Sequence, residues 1–359
     1  MKSLNFFIIV LLCLLSLSCS KKREIKLNLP QKTRDYKIIH NKNQPLDKDF
    51  YYKTEKLFTI NSENSNPYIS FPLSFDVDSK GDIFILDSRE SIIYKYNRDG
   101  KFLKKFGKKG QGPGETVDPS FLCIINDTIY YGGVRTQNIV ICSNEGEFIK
   151  KIELPIRNGN PEFTTRFNND KIISQIFSIE KSEGKTRIRV AVFDKEFQLK
   201  NLLSDVSFEM GGLPNSLTPF TCSEDKIYVA HNSDNEYAID IYNRYGELET
   251  TIKKNYHKIE FNDIDFGKKI KSKLTKKSIV GMFYDKKRSL LLVKRSFKRD
   301  ENNRNRFLVD VFKDNKFINT VDLDIGKSRD FFNPLLQVKI IGDRIYVKNQ
   351  DLSVYKIKD

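Results

Sequence analysis

Residues 75–106 contain four short apolar runs separated by polar turns. The second run, Ile83–Leu86, is rich in β-branched and aromatic residues, and the third and fourth, Ser91–Tyr96 and Lys101–Phe106, are joined by a turn that ends in Asp99-Gly100. Such a turn between two alternating runs is a strong β-hairpin signal. The pattern therefore predicts a four-stranded antiparallel meander, which leaves its edges and one face uncovered and has to pack against further sheets.

The same unit recurs along the chain. The apolar second strand appears six times, beginning near residues 83, 129, 172, 227, 290 and 345. Each copy follows a polar turn and precedes another alternating strand, and the interval is about 50 residues, as expected for propeller blades. We therefore predict an all-β fold, a six-bladed β-propeller with four antiparallel strands per blade over residues 50–359.

The sixth copy contains only three strands before Asp359. Without a fourth strand, the outer edge of that blade would be bare and prone to aggregation. The segment Lys56–Ile60 precedes the first blade and has the right pattern to supply it. We predict that this N-terminal strand completes the C-terminal blade and closes the ring.

The N-terminus has the pattern of an export signal. The apolar run Phe6–Leu15 is too short to span a bilayer, which needs about 20 residues, and is typical of a signal peptide. Small residues directly before Cys19 are similar to a bacterial lipobox, which predicts a lipoprotein signal peptide over residues 1–18 and lipidation of Cys19. Residues 19–49 are polar and lysine-rich without sustained periodicity, and we expect a lipidated cysteine followed by a flexible tether.

Three cysteines remain after the signal and the lipidation site, namely Cys123, Cys142 and Cys222. Cys123 and Cys142 are predicted on the first and third strands of one blade, and two strand spacings of about 4.8 Å exceed the reach of a disulfide. We expect buried free thiols, and no Cys or His spacing suggests a metal site.

The net charge of +15 is concentrated in one region, since residues 251–313 hold 19 Lys and Arg against 7 Asp and Glu. Behind an export signal, this excess favours a polyanion such as an acidic glycan, a lipopolysaccharide phosphate or a membrane surface over a nucleic acid. A solvated lysine-rich surface without a ligand is the alternative.

The long insertions of the repeat all fall on one predicted face. They are Ile179–Arg187, Ser204–Thr218, Asn255–Ser278 and Arg295–Arg306. Insertions on one face of a repeat protein usually mark its binding surface. The last two are predicted to be neighbours and to form a basic patch for an anionic glycan or lipid head group, built from Lys268, Lys269, Lys271, Lys273, Lys276, Lys277, Arg295, Lys298, Arg299, Arg304 and Arg306.

One segment resembles a known family. Phe75–Glu115 carries an Asp78-x-x-Gly81-x-Ile83 turn, the Asp99-Gly100-Lys101-Phe102 hairpin and a glycine-rich link that begins at Gly107. It resembles the six-bladed, NHL-repeat-like propeller lipoproteins of Bacteroidota. The resemblance implies a propeller fold and export, and it carries over no activity and no catalytic residue. Surface-exposed lipoproteins of that group often have acidic residues after the lipidated Cys, so the basic Ser20–Arg23 here favours outer-membrane anchoring that faces the periplasm.

Enzyme classes that use this fold differ in the residues they need. Propeller sialidases carry Trp-containing turns, and this chain has no Trp. Lyases of the NHL type need several His and Met ligands, whereas the three histidines here are His40, His231 and His257. Propeller lactonases bind one divalent cation, such as calcium, through oxygen ligands that leave no sequence signature. The candidate ligands for such a cation are three acids near strand ends, Asp76, Asp78 and Asp87. Turn-stabilising roles are the preferred interpretation of these residues.

The sequence thus favours a monomeric, membrane-anchored binding or scaffold protein without a cofactor, which recognises an anionic glycan or another envelope component such as an envelope protein. A divalent-cation-dependent hydrolase or lactonase with a site at the channel mouth is the alternative. The glycine-rich link joins two strands and ends in Gly-Glu, so it lacks the helix and the Lys that a phosphate-binding loop requires.

Overall fold

The computed structural model describes residues 30–63, 66–133, 137–154, 159–180, 183–209, 217–266, 275–300, 302, 306–325 and 336–358. Two strands precede the repeats, β1 (Lys32–Asn41) and β2 (Lys53–Ile60). One short helix, α1 (Asp263–Phe266), lies between the fourth and fifth blades. Among the described residues, no helix has the length and apolar character needed to cross a membrane.

The first three blades are four-stranded antiparallel sheets. Blade 1 comprises β3 (Pro72–Val77), β4 (Ile83–Asp87), β5 (Ile92–Tyr96) and β6 (Phe102–Phe106). A two-stranded parallel sheet, β7 (Lys108–Lys109) and β8 (Glu115–Thr116), follows. Blade 2 comprises β9 (Phe121–Ile125), β10 (Thr128–Gly133), β11 (Asn138–Ser143) and β12 (Phe148–Glu153). Blade 3 comprises β13 (Gly159–Phe167), β14 (Lys171–Glu180), β15 (Lys185–Asp194) and β16 (Leu199–Glu209).

The second half of the ring repeats the arrangement. Blade 4 comprises β17 (Phe220–Cys222), β18 (Lys226–Ala230), β19 (Tyr237–Asn243) and β20 (Leu248–Lys254). Blade 5 comprises β21 (Ile279–Asp285), β22 (Leu290–Arg295), β23 (Leu308–Lys313) and β24 (Lys316–Asp322). Blade 6 comprises β25 (Gln337–Ile341), β26 (Arg344–Lys348) and β27 (Leu352–Lys358). All six predicted second strands are present, and the predicted six-bladed propeller is confirmed.

Strand β2 is the outer strand of blade 6, in the order β2-β27-β26-β25. It pairs antiparallel with β27 from Lys53 opposite Lys358 to Ile60 opposite Leu352. The predicted ring closure by the N-terminal strand is therefore confirmed, with a strand three residues longer at its start than the sequence pattern indicated.

The core lies between blades. Among the described residues, six hydrophobic clusters are present, and each joins two neighbouring blades. The cluster between blades 6 and 1, for example, brings Ile60 and Val354 against Phe75 and Ile85. Burying an aromatic or large aliphatic side chain contributes about 1.5–3 kcal/mol, and so every interface around the ring is stabilised. The three cysteines are buried and free, as predicted.

Strand β1 corrects the predicted tether. It adds as a fifth, parallel strand to the outer strand β20 of blade 4, with Ile38 opposite Thr251 and Ile39 opposite Ile252. Tyr36 Oη lies 3.0 Å from Thr251 Oγ1. A flexible tether over residues 19–49 is therefore wrong for Lys32–Asn41. The strand is exposed at most of its positions, so it lacks the apolar periodicity that would have predicted it.

Residues 32–60 continue around the outer rim of blades 4, 5 and 6, and we call this segment the N-terminal belt. The Phe317 N–H donates to Asn41 Oδ1 at 2.9 Å, and the Asp47 N–H donates to Ile318 O at 3.2 Å. The Asn319 side chain donates to Phe50 O at 3.0 Å. Backbone atoms and amide side chains thus fix the belt to the outer strand of blade 5 before it enters blade 6.

The predicted insertion Ile179–Arg187 in blade 3 is largely strand. β14 and β15 stay paired up to Glu180 opposite Lys185. Residues Ser204–Glu209 of the next predicted insertion likewise belong to β16, which pairs with β15 as far as Lys185. Blade 3 therefore extends as a longer three-stranded sheet on the same face where the loops were predicted.

Candidate ligand-binding site

The connections sort onto two faces, as predicted. Short turns join strands one to two and three to four of each blade on one side, here called the turn face. The connections between strands two and three, and between successive blades, lie on the other side, here called the loop face. The glycine-rich link is one of these, and it folds around its own acid, since Glu115 Oε2 accepts the Gly112 N–H at 3.0 Å. A Cβ at Gly110 would lie 2.0 Å from the same oxygen, so the loop has no space for a phosphate.

The two basic insertions contact each other on the loop face, as the sequence predicts. Asn262 Nδ2 donates to Arg299 O at 2.7 Å, and the Ser296 N–H donates to Ser278 O at 3.0 Å. An isolated bridge between Glu260 and Thr275 joins the two ends of the first insertion. The intervening Lys268, Lys269, Lys271 and Lys273, together with Arg304, lie outside the described residues.

Lys276 and Arg299 do not carry the exposed charge expected of them. Lys276 is fully buried, and its ammonium lies 2.7 Å from Asp265 Oδ2 and 3.0 Å from Phe297 O. Arg299 is also buried, with Nε 3.8 Å from Asp265 Oδ1. These two cations share one buried carboxylate and join the insertions to each other, a structural role that local sequence could not distinguish from an exposed one.

The other described members of the predicted patch are dispersed. Lys277 donates to Asn232 O at 3.3 Å and is half-buried, which lowers the pKa of its ammonium. Arg306 pairs with Asp322 at 2.8 Å, and Lys298 is exposed. Arg295 is the member that faces a cavity.

That cavity has a volume of about 360 Å³ and lies between blades 4 and 5 at the loop face. Its floor is Asp310, which is fully buried in β23. Lys254 Nζ lies 2.9 Å from Asp310 Oδ2, while Arg295 Nε lies 3.5 Å and Thr320 Oγ1 2.6 Å from Asp310 Oδ1. Three cationic side chains line the space, Lys254, Lys258 and Arg295, of which Lys258 pairs with Asp234 at 3.1 Å.

The electrostatics of this cavity favour a negative ligand. Burial lowers the pKa of Lys254, and the neighbouring Asp310 only partly opposes that effect. The Lys254 ammonium also lies 3.4 Å from the centre of the Phe317 ring, a cation–π contact. Because two buried or half-buried cations face one buried carboxylate, the cluster keeps a net positive charge, which an anion would compensate.

Sequence reasoning missed Lys254 and Asp310. A signal was present, because Asp310 interrupts the apolar strand Leu308–Phe312 and Lys254 ends an alternating strand. A lone charge in a strand that is otherwise buried has to find a partner. The partner's identity is not local, since 56 positions separate the two residues.

The central channel is lined by the first strands of the blades and contains a cavity of about 280 Å³. Asp76 lies in its wall, where Oδ1 accepts Lys339 Nζ at 2.6 Å and the Val77 N–H at 3.0 Å. Oδ2 accepts the Ile124 N–H of blade 2 at 2.8 Å. This carboxylate therefore bridges blades 6, 1 and 2.

The other acidic candidates have structural roles. Asp78 accepts the Lys80 and Asp82 N–H groups of its own turn at 3.0 and 2.9 Å. Asp87 is fully buried and accepts the Ser70, Arg89 and Glu90 N–H groups. Within the part of the chain that the structure describes, no three His, Cys, Asp or Glu side chains come close enough to hold a metal ion.

His231 lies between two carboxylates of blade 4. Its Nδ1 is 2.7 Å from Glu236 Oε1 and its Nε2 is 3.1 Å from Asp240 Oδ2. These hydrogen bonds, with that to Asp240 the strongest, outweigh burial and raise the pKa of the imidazole to about 9. The ring is charged at neutral pH and acts as a structural cation.

Comparisons with known proteins support the fold. A family model described as a 6-bladed beta-propeller matches residues 76–283. A solved structure from Bacteroides fragilis NCTC 9343, which carries the name "Putative exported protein", is 12% identical with a TM-score of 0.52 and covers 90% of this chain and 100% of its own. Among curated proteins, none matches the sequence significantly.

Two further solved propellers are similar at lower scores. Regucalcin from Agrobacterium tumefaciens, a calcium-binding protein, is 10% identical with a TM-score of 0.48, covering 89% of this chain and 96% of its own. Virginiamycin B lyase from Staphylococcus aureus is 14% identical with a TM-score of 0.46, covering 86% and 100%. At these identities the likeness concerns the fold, and it assigns no activity to this chain.

Proposed function

We propose that this chain, which belongs to the DUF5128 family of six-bladed beta-propellers, is an exported binding protein whose loop face binds an anionic glycan. In this proposal, lipid on Cys19 anchors the protein to the outer membrane, where it faces the periplasm. The signal-like N-terminus supports export.

The observation that carries the binding proposal is the cavity between blades 4 and 5. It opens at the loop face and presents Lys254 and Arg295 around the carboxylate of Asp310, with Lys258, which pairs with Asp234, in its wall. The hydroxyl of Tyr256, in the cavity wall, lies 3.4 Å from Lys276 O, at the base of the lysine-rich insertion. A carboxylate or sulfate of a glycan could therefore enter the cavity while the neighbouring insertion supplies further positive charge.

The channel does not favour the cation-dependent enzyme. Its lining holds three cations, Arg166, Lys286 and Lys339, and one acid, Asp76. Both oxygens of that acid already accept hydrogen bonds. A hard divalent cation prefers several converging carboxylate or amide oxygens, so this charge balance is the opposite of what such a site needs.

A charge-matched pair of variants tests the proposal on an immobilised polygalacturonate column. The site variant replaces Lys258, Arg295 and Lys298 with Glu, and the control replaces Lys80, Lys101 and Lys313, which are exposed on the turn face. Wild type and control should be retained at low ionic strength and elute as salt rises, since exposed charges are screened. The site variant should pass through. Arg299 is left unchanged because it is buried against Asp265.

Equal loss of retention in both variants would mean that only net charge matters. Passage of the wild-type protein through the column at low salt would also overturn the proposal.

A further inference from the structure

The cations of the central channel that make no ion pair with a described residue lie toward one end of its axis. Because the first strand of every blade runs from the loop face to the turn face, early residues of these strands lie at one end and late residues at the other. The early ones that line the cavity include the apolar Phe163, Leu217 and Leu336 beside the polar Thr218 and Gln337, whereas the late ones include the cations Arg166 and Lys286. Lys339 lies between the two ends, paired with Asp76.

Arg166 is a half-buried cation in this channel whose charge the fold does not use. Its guanidinium is half-buried and makes no hydrogen bond or ion pair with another described residue. Asp127 is an acid close enough to interact with Arg166 electrostatically. Its carboxylate accepts hydrogen bonds from the Ser79 N–H at 3.1 Å and from Ser79 Oγ at 2.8 Å. Holding an arginine at a cavity wall without a carboxylate gains no stability from pairing, which points to a ligand.

Phe163 provides an independent observation at the apolar end. It has φ of +45°, a left-handed conformation that is a genuine outlier for a bulky residue. It sits in a bulge of β13, where the pairing with β14 shifts between Glu162 and Thr165. Bulges re-aim side chains next to functional sites, and strain of this kind costs about 1–3 kcal/mol and clusters at active sites and ligand clamps.

We propose that the channel binds a small amphipathic anion, with its acidic head group at Arg166 and its apolar chain toward Phe163, Leu217 and Leu336. Lys286 adds positive charge near the head group, while Lys339 and Asp76 form an ion pair with no net charge. The site is separate from the cavity between blades 4 and 5 and does not depend on the proposed glycan binding.

The volume limits the ligand. At about 30 Å³ for each water displaced, 280 Å³ corresponds to roughly nine waters, so the channel suits a molecule of about ten non-hydrogen atoms. Octanoate has that size and the required carboxylate, and it serves as the probe. Octyltrimethylammonium carries the same chain with the opposite charge.

Isothermal titration calorimetry is carried out on residues 20–359, which include every described residue. Octanoate should bind to one site, and octyltrimethylammonium should bind with an affinity at least tenfold lower. Arg166→Met should weaken octanoate at least tenfold with an unchanged melting temperature, because no ion pair within the described chain is lost. Arg166→Lys should keep most of the affinity. Arg244→Met, an exposed arginine on the turn face, is the matched control and should bind as wild type does.

Phe163→Asn tests the apolar end, since asparagine tolerates the left-handed backbone and removes the ring. It should weaken octanoate at least fivefold. Absence of octanoate binding, equal binding of the cation, or undiminished binding by Arg166→Met would each overturn the proposal. A large drop in the melting temperature of Arg166→Met would also overturn it, because the arginine would then be structural.

Discussion

The turn residues of the hairpins do more than reverse the chain, because they also pack against the preceding blade. Gly100 has φ of +81°, and a Cβ there would lie 2.6 Å from the Phe58 ring of β2 in blade 6. Gly146 makes the same approach to Phe106 of blade 1, at 2.5 Å. The glycine that the hairpin pattern predicts for local reasons is thus also required by contact between blades.

Gly100→Ala should destabilise the propeller more than Gly342→Ala does. Both positions have positive φ, which costs an alanine about 1–2 kcal/mol, but a Cβ at Gly342 meets no atom within 4 Å. Displacing Phe58 adds an overpacking cost of about 1–3 kcal/mol at Gly100 alone. Urea unfolding of the two variants measures the difference, and equal destabilisation would show that Phe58 moves aside without cost.

At the scale of elements, the N-terminal belt contributes two strands with different energetics. Strand β2 buries Ile60 in the cluster between blades 6 and 1 and covers the edge of β27. Strand β1 covers the edge of β20 mainly through backbone pairing, and its side chains are mostly exposed. Both remove a sheet edge from solvent, while β2 also contributes to the core.

Truncation separates these contributions. A chain that begins at Leu46 should unfold cooperatively at a melting temperature lower by about 1.5–3 °C than residues 20–359, as expected for a loss of roughly 1–2 kcal/mol in a domain of this size. A chain that begins at Asn61 should lose the cooperative transition, because blade 6 is left with a bare edge and an open interface. Calorimetry of the three chains provides the measurement. Identical melting temperatures would contradict the role of β2 in closing the ring.

At the scale of the whole molecule, the belt limits how far the propeller lies from a lipid anchor. Because β1 is fixed on blade 4, only residues 20–31 remain as a link from Cys19, and they span at most about 40 Å. Since Lys32 pairs with Leu248, at the turn-face end of β20, an anchored ring would be held by its rim at blade 4, on the face opposite the basic cavity.

The anchor itself can be tested by labelling with palmitate. Cys19→Ala should abolish labelling and leave an unprocessed precursor, whereas globomycin treatment of the wild-type protein should block processing and leave the label in place. Cys222→Ala is the matched control, since that thiol is buried and its burial raises its pKa to about 11. Labelling that persists in Cys19→Ala would overturn the lipobox assignment.

The sequence by itself determined the repeat and therefore the ring. Strand alternation and turns such as Asp99-Gly100 are local patterns, and a closed set of six blades is the arrangement that leaves the fewest edges uncovered. The same patterns identified the closing strand, because an incomplete last blade and an unassigned first strand complement each other.

Only the tertiary structure decided which charges are free. The sequence predicts that Lys276 and Arg299 are exposed, but both are buried against Asp265. Nothing in the sequence distinguishes Arg166 from other strand residues, yet it faces the channel. Strand β1 escaped prediction for a related reason, because pairing at an exposed edge needs no apolar face. Hydrophobic periodicity reports which side of an element is buried, and it carries no information on which distant residue neutralises a charge or pairs with an edge.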